Sequence, residues 1–386
     1  MIQPPATLGL LGGGQLGRFF IKAAHELGYR VTVLDPDLDS PAGRIADTHL
    51  ARPYDDPVAL GLLAQSCAAV TTEFENVPAH ALHYLATSVR VRPGAHAVAI
   101  CQDRSAEKGF LKRNGFPHVP YADVRNEEDA RKADADLFPG ILKVARFGYD
   151  GKGQAWVKNR DEEQAAFRQF GCEPCVLEKV LTLDHEVSVV LARDEAGEVR
   201  CFPAAENRHR HGVLDISSVP PAPACLTANA ERMAADIART MDYVGVMAVE
   251  FFVVSGRLYV NEMAPRPHNS GHFTLDACVT DQFEQQVRAL CGLPLGDTRL
   301  HSAATMVNLL GDLWYLGGPA RVREPDWRTL LAVPNLKLHL YGKRHAKPGR
   351  KMGHFTVVGD DAVDVREAAM AGRRAIGMSD PVAVLP

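Results

Sequence analysis

The chain reads as a multidomain protein of α/β and α+β type: a Rossmann-like parallel sheet first, a mixed central region, and a small β-rich C-terminal part. Three stretches carry this reading. Residues 7 to 100 alternate apolar strand-like runs with helix-like segments, the pitch of βαβ units. Residues 139 to 158 run strand, glycine-rich loop, strand. Residues 244 to 262 hold two apolar runs joined at Ser255-Gly256, and both carry carboxylates. A length of 386 residues, 46% hydrophobic and 23% charged, suits two or three ordinary globular domains.

In the first region, TLGLLG is a short strand, GGGQLGRFFIKAAHELG a helix entry and helix, and YRVTVLD a second strand. AAVTTEF and PAHALHYLAT repeat the pattern. Gly12-x-Gly14-x-x-Gly17 fits the dinucleotide fingerprint, and Asp35 ends the next strand where a ribose-binding acid belongs. Taken alone, this pattern indicates an NAD-dependent oxidoreductase. The same turn binds other phosphates at a helix N-terminus, and a tight βα turn without a ligand also produces it.

CQDRSAEKGFLKRNGFP predicts a helix ended by Gly115 ahead of Pro117, and EEDARKA a second, charged helix. Gly148, Gly151 and Gly153, interleaved with Tyr149, Asp150 and Lys152, form a loop whose backbone N–H groups can fold over phosphates. It is not a Walker A sequence, and an ordinary mobile hairpin loop has the same composition. In VLEKVLTLDHEVSVVL, Glu178 and Glu186 could accept from an adenine amino group and ribose hydroxyls, or belong to a paired surface strand.

Glu250 lies inside the apolar run Val244 to Val254, where a carboxylate is costly without a cation or hydrogen bonds. Glu262 follows Asn261 at the end of the next run. Oxygen ligands from these three suit Mg²⁺ alongside phosphate. A two-residue loop pairs Val254 with Arg257 and sets Glu250 against Asn261. A three-residue loop, or a bulge with the same effect, sets Glu250 against Glu262 on one face, and this second arrangement is the prediction. Past residue 300 a short β-rich tail contains the basic segment YGKRHAKPGRKMGHF, where Arg350 and Lys351 beside a Pro-Gly turn could reach a ligand phosphate.

A net charge of −4 without a long basic tract disfavours nucleic acid as a partner. No signal peptide and no membrane-length apolar run is visible. Of eight cysteines only Cys172 and Cys175 make a C-x-x-C, with no second pair for zinc, so reduced cysteines in a cytoplasmic protein are expected.

Taken in order, LGGGQLGR (11–18), TTEFENVP (71–78), QDRSAEK (102–108), GYDGKGQ (148–154), EKV (178–180), AVEFF (248–252), NEMAPRPHNSGH (261–272) and PGRKMGH (348–354) resemble the ATP-grasp superfamily over nearly the whole chain. Within it the run APRPHNSGH is most similar to the 5-(carboxyamino)imidazole ribonucleotide synthases, the ATP-dependent carboxylating enzymes of purine biosynthesis. The resemblance overrules the NAD reading. It implies an N-terminal substrate-binding domain (1–102), an ATP-grasp domain (103–298, lid subdomain about 117–180) and a C-terminal β-rich domain (299–386).

The resemblance also implies site roles. Gly14, Gln15, Leu16, Asp35, Glu73 and Asn76 would meet aminoimidazole ribonucleotide, together with Arg266, His268, Asn269 and Lys351. ATP would be held by Arg104, Lys108 and Lys143 at its phosphates, and by a lid of Gly148, Tyr149, Asp150, Gly151, Lys152, Gly153 and Gln154. Glu178, Lys179, Val180 and Leu181 would form the adenine hinge, Glu186 the ribose clamp, and His209 and Asn261 further nucleotide contacts. Glu250 and Glu262 would hold Mg²⁺, as two ions. Tyr149, Asp150, Arg266, His268 and Lys351 fall near the transferred carboxyl group. One departure is Arg146-Phe147 before the lid, where relatives often carry another glycine. The implied reaction carboxylates the ribonucleotide with bicarbonate through carboxyphosphate, in a cytoplasmic homodimer.

Overall fold

A computed structural model describes residues 1–146, 148, 153–221, 226–316, 318 and 322–380. The N-terminal strands Thr7–Leu11, Arg30–Leu34, Thr48–Leu50, Ala69–Thr72 and Arg90–Val91 form a five-stranded, wholly parallel sheet. Thr7–Leu11 lies at its centre, and the helix Gln15–Glu26 springs from its C-terminal end. That helix buries Phe19, Phe20 and Ile21 against Phe283 and Val287 of the helix Gln282–Cys291. Phe19 and Phe283 have ring centroids 5.1 Å apart. This apolar seam fixes the parallel sheet on the rest of the chain.

Four antiparallel strands follow, in the spatial order Tyr121–Val124, Cys175–Lys179, Gly140–Val144, Gln154–Val157. The helices Glu127–Lys132 and Arg160–Gln169 cover them, and Val124, Leu142, Phe167 and Leu177 share one small core. Each helix begins at an asparagine: Asn126 accepts from Glu128 and Asp129 amides, and Asn159 from the Glu162 amide.

The largest sheet has nine strands, antiparallel throughout. The helix Thr227–Thr240 packs Ala230, Ala234 and Ile237 on one face, against Val189, Met247 and Val249. Val190, Val246 and Ala248, one residue out of phase, pack on the other side with Phe273 and Ala289. The strands are therefore apolar on both faces. Strands Ala303–Leu310, Leu336–Leu340 and Lys351–Gly359 do not stand apart as a tail. They continue this sheet through the pairing of Val213–Val219 with Ala303–Leu310. A 14-residue helix, Ala362–Ala375, closes the segment and is not evident in the β-rich reading of the sequence. No helix among the described residues is long and apolar enough to cross a membrane.

Candidate active site

The glycine turn is filled by the protein itself. Gly14 and Gly17 donate their amides to the Glu73 carboxylate at 2.7 and 3.0 Å. Gly13 donates to Asp35 at 2.7 Å, and Asp35 also accepts from the Asp37 amide and the Tyr54 hydroxyl. A Cβ at Gly12 or Gly14 would fall 2.7 Å from Glu73, so these glycines let a carboxylate approach the helix N-terminus. A dinucleotide pyrophosphate uses those amides, and here they are taken. This is the physical reason the oxidoreductase reading fails. Asp35 is engaged in holding the turn and Leu16 belongs to the core, so their side chains do not face a ligand as expected. Burial raises the Glu73 carboxyl above its usual range, against the pull of the two amides.

The hairpin Gly245–Val254 with Arg257–Ala264 answers the register question. The turn has two residues, Ser255 and Gly256, both at positive φ (49° and 71°). Val254 pairs with Arg257, and a bulge after Glu250 places Glu250 opposite Glu262. The predicted effect is thus produced by the bulge, not by a longer loop. Asn261 is the extra residue. Its amide donates to Glu250 at 3.3 Å, while its Oδ1 is buried without a partner. Burial, then Glu262 and Glu186, push the Glu250 carboxyl up to about 7, with His209 opposing. Two carboxylates face to face beside an orphaned acceptor oxygen form a donor set suited to a hard divalent cation.

A layer of cations lies next to this pair. Asp103 caps the helix Arg104–Arg113, accepting from the Ser105 and Ala106 amides. The i, i+4 spacing then puts Arg104 and Lys108 on one face. Arg104 meets Glu262 at 3.1 Å. Lys108, wholly buried, lies 3.1 Å from Glu178 and donates to the Asn261 carbonyl. Lys143 donates to the other Glu178 oxygen at 2.6 Å. Although burial acts the other way, Lys108 and Lys143 hold Glu178 far below the usual carboxylate range. Its side chain is therefore turned onto two lysines and is not available to an adenine amine. The Lys179 and Val180 amides donate to the Pro120 and Pro139 carbonyls.

Glu186 and His209 sit across adjacent strands with Nδ1 and Oε2 2.9 Å apart. Burial lowers the His209 pKa, but Glu186 and Glu250 raise it to about 9 overall. His268 lies 3.5 Å from Glu250 and is anchored at Nδ1 by Ser270. Burial, then Arg266 and Lys351, keep it neutral far below the ordinary histidine value. Beside it, Asn269 is 5% exposed with neither amide atom partnered. Behind this loop Ser270, Ser188, Asn207 and Ser217 make a buried hydrogen-bond chain of 2.7, 2.8 and 2.7 Å.

Lys351 opens the strand Lys351–Gly359, opposite Leu310. Gln15 begins the first helix, and Asn76 is half-buried two residues before the helix Ala79–Ala86 begins at Pro78. In the lid, Gly148 and Gly153 are described, Gly153 at φ +69°, and Gln154 pairs with Lys143. Tyr149, Asp150, Gly151 and Lys152 lie outside the described residues, as does Phe147.

Two acids escaped the sequence reading. Glu107 accepts from the Met263 amide at 2.6 Å, and burial then Glu262 raise it to about 8. Glu75 accepts from Arg266 Nε, across 191 positions of sequence. Glu107 lies within QDRSAEK and Glu75 within TTEFENVP. The available signal was that each motif carries a carboxylate the first reading left idle.

The chain matches three family models: the ribonucleotide synthetase preATP-grasp domain over residues 5–102, the ATP-grasp domain over 109–283, and the phosphoribosylaminoimidazole carboxylase C-terminal domain over 304–368. It is 45% identical over 360 residues to N5-carboxyaminoimidazole ribonucleotide synthase of Brucella melitensis, covering 92% of this chain and 97% of the relative. The ADP complex of a PurK N5-carboxyaminoimidazole ribonucleotide synthetase superposes with TM-score 0.90 at 39% identity, covering 97% of each chain. The Aspergillus clavatus N5-carboxyaminoimidazole synthase, in complex with ADP and 5-aminoimidazole ribonucleotide, superposes with TM-score 0.87 at 28% identity, covering 96% of this chain and 98% of that one. The chain belongs to the N5-carboxyaminoimidazole ribonucleotide synthases of the ATP-grasp superfamily.

Proposed function

We propose that the protein catalyses the ATP-dependent carboxylation of 5-aminoimidazole ribonucleotide in purine biosynthesis, with bicarbonate as the carboxyl source. One juxtaposition carries this reading beyond the family match. The orphaned Asn269 amide, neutral His268 and Arg266 occupy one short loop that abuts the opposed Glu250 and Glu262. A site for an anionic acceptor thus adjoins a site for a metal–nucleotide.

Mg²⁺ would be held by Glu250 and Glu262 with Asn261 beside them. Once bound, it neutralises phosphate charge for in-line transfer. Arg104, Lys108 and Lys143 add fixed cations where charge develops. Glu186 and His209 clamp the ribose, and the adenine is read by main-chain groups of residues 179 to 181. Bicarbonate attacks the γ-phosphate, giving carboxyphosphate and ADP. The exocyclic amine of the ribonucleotide then captures the carboxyl group, and phosphate leaves. The guanidinium of Arg266 suits the planar carboxylate of carboxyphosphate or of the product carbamate. Glu73, Gln15, Asn76 and Lys351 surround the ribonucleotide. The 148–154 lid, with Tyr149 and Asp150, excludes water from labile intermediates. The working form is a cytoplasmic homodimer.

The test is phosphate release with ATP, Mg²⁺ and bicarbonate. Strong stimulation by 5-aminoimidazole ribonucleotide, and none by glycinamide ribonucleotide with formate, is expected. Stimulation by the second pair alone would replace the proposed substrate.

A further inference from the structure

Arg266 is fixed from outside its own domain. It follows the strand Arg257–Ala264, and its Nε donates to Glu75, which follows the strand Ala69–Thr72 of the parallel sheet. Its NH1 donates to the Pro267 carbonyl at 3.1 Å. These two bonds restrain the guanidinium from two sides. Glu75 is itself held: Gln102 donates from Nε2 to the Glu75 and Val77 carbonyls, both at 2.5 Å. The neighbouring acid two residues back, Glu73, is bound to the glycine turn. One five-residue bend thus fixes the glycine turn with Glu73 and the arginine with Glu75.

The pair is half-sheltered, with side-chain exposures of 15% for Arg266 and 23% for Glu75. Glu73, Glu262 and Lys351 lie within electrostatic range of it. An ion pair so placed sets both where the guanidinium points and how much net positive charge an incoming anion meets.

Resting on the carboxylase reading, we infer that Glu75 is a positioning residue: it orients Arg266 and offsets its charge, so that the arginine takes the one-carbon anion in a reactive pose and not merely tightly. Glu75 touches no reacting atom. A misoriented guanidinium loses rate, because small displacements of positioning groups are felt strongly in the reaction step. An Arg266 relieved of its counter-charge attracts anions more strongly.

The experiment is steady-state kinetics of Glu75→Gln, Arg266→Lys and the double variant, beside the parent enzyme. For Glu75→Gln, kcat for ribonucleotide-stimulated phosphate release is expected to fall roughly tenfold or more. The KM for bicarbonate should hold or fall, and the KM for ATP should stay within about twofold, because the Glu178 network is untouched. The double variant should lose little more than Arg266→Lys alone, as expected of residues acting as a unit. A purely structural ion pair predicts a different set: lower thermal stability and a raised KM for ATP, with kcat for the ribonucleotide-stimulated reaction retained. Either that set or unchanged kinetics in Glu75→Gln overturns the inference. Failure of the parent enzyme to respond to the ribonucleotide would overturn the carboxylase reading and this inference with it, and is seen before any variant is made.

Discussion

Glu250 shows how a single residue's environment reports its task. Burial and the facing Glu262 raise its carboxyl to about 7, and the orphaned Asn261 Oδ1 sits beside it. Arg104 compensates Glu262 at 3.1 Å, but Glu250 stays raised, the state that a bound cation would relieve. Replacing either acid with glutamine keeps the shape and removes a ligand and its charge. Glu250→Gln and Glu262→Gln should each lower kcat by about 100-fold or more, read by phosphate release at saturating ATP. Near-normal turnover in both would refute the cation role. The sequence singled out both for expectation, Glu250 as a charge inside an apolar run and Glu262 at the end of the next. Glu73 was expected at the ribonucleotide for a different reason: its position at a strand's carboxyl end. Its actual work, filling the helix N-terminus, depends on a contact across 59 positions with Gly14 and was not legible. The direction of the Glu178 side chain was left open for the same cause. Alternation placed it on a strand, but only tertiary packing with Lys108 and Lys143 decides which way its carboxylate is spent.

Among elements, the helix Arg160–Gln169 carries an anomaly of its own. Glu163 is wholly buried in the small core with Phe167, and neither carboxylate oxygen has a partner. Burial raises it from 4.5 to about 7, with Arg160 only partly opposing. A raised folded value means the acid is favourable in the fold when protonated. That contribution is full below the unfolded value near 4.5 and is lost as pH rises through about 7. Glu163→Leu should therefore stabilise the four-stranded unit by roughly 1–3 kcal/mol at pH 8. The gain should shrink towards pH 5. Amide exchange of residues 153–179 at the two pH values measures this directly. Equal protection at both would show that the carboxyl finds water or a partner in solution. In this unit the charged helix and the two strands flanking the glycine-rich loop were legible, whereas the strand Tyr121–Val124 and the helix Arg160–Gln169 were not. The hairpin bulge was one of two expected arrangements, because strand alternation alone cannot tell a longer turn from an extra residue.

At the scale of the molecule, three parts meet on a stack of imidazoles. His272 follows the turn Asn269–Gly271, while His339 and His354 pair across the C-terminal strands. His354 lies with ring centroids 4.6 Å from each of the other two, and Phe19 of the first helix packs on all three. The sequence marked two of these histidines only as ends of motifs. Their meeting is a product of the C-terminal strands joining the central sheet, which no local pattern announces. His272 and His354 are wholly buried and held neutral far below the ordinary value, first by burial and then by neighbouring imidazoles. Facing them are Asp276, which pairs with His339 at 2.8 Å, and Tyr341, whose hydroxyl meets His354 at 2.9 Å. Lys343, Lys351 and Arg266 add positive charge around His272. A lowered folded value means the stabilisation is full above about 6.5, the unfolded value, and is lost as pH falls. Each of the two should cost about 2 kcal/mol by pH 5, since both must stay neutral while the unfolded chain protonates. The midpoint of thermal unfolding should accordingly fall steeply between pH 7 and 5. Replacing His354 by Gln, which keeps a polar planar group without a titrating ring, should flatten that slope by roughly half even if it lowers stability at pH 7. An unchanged slope would mean that acid first unfolds the molecule elsewhere. The expected slope would make this stack the joint at which the three parts of the chain come apart together.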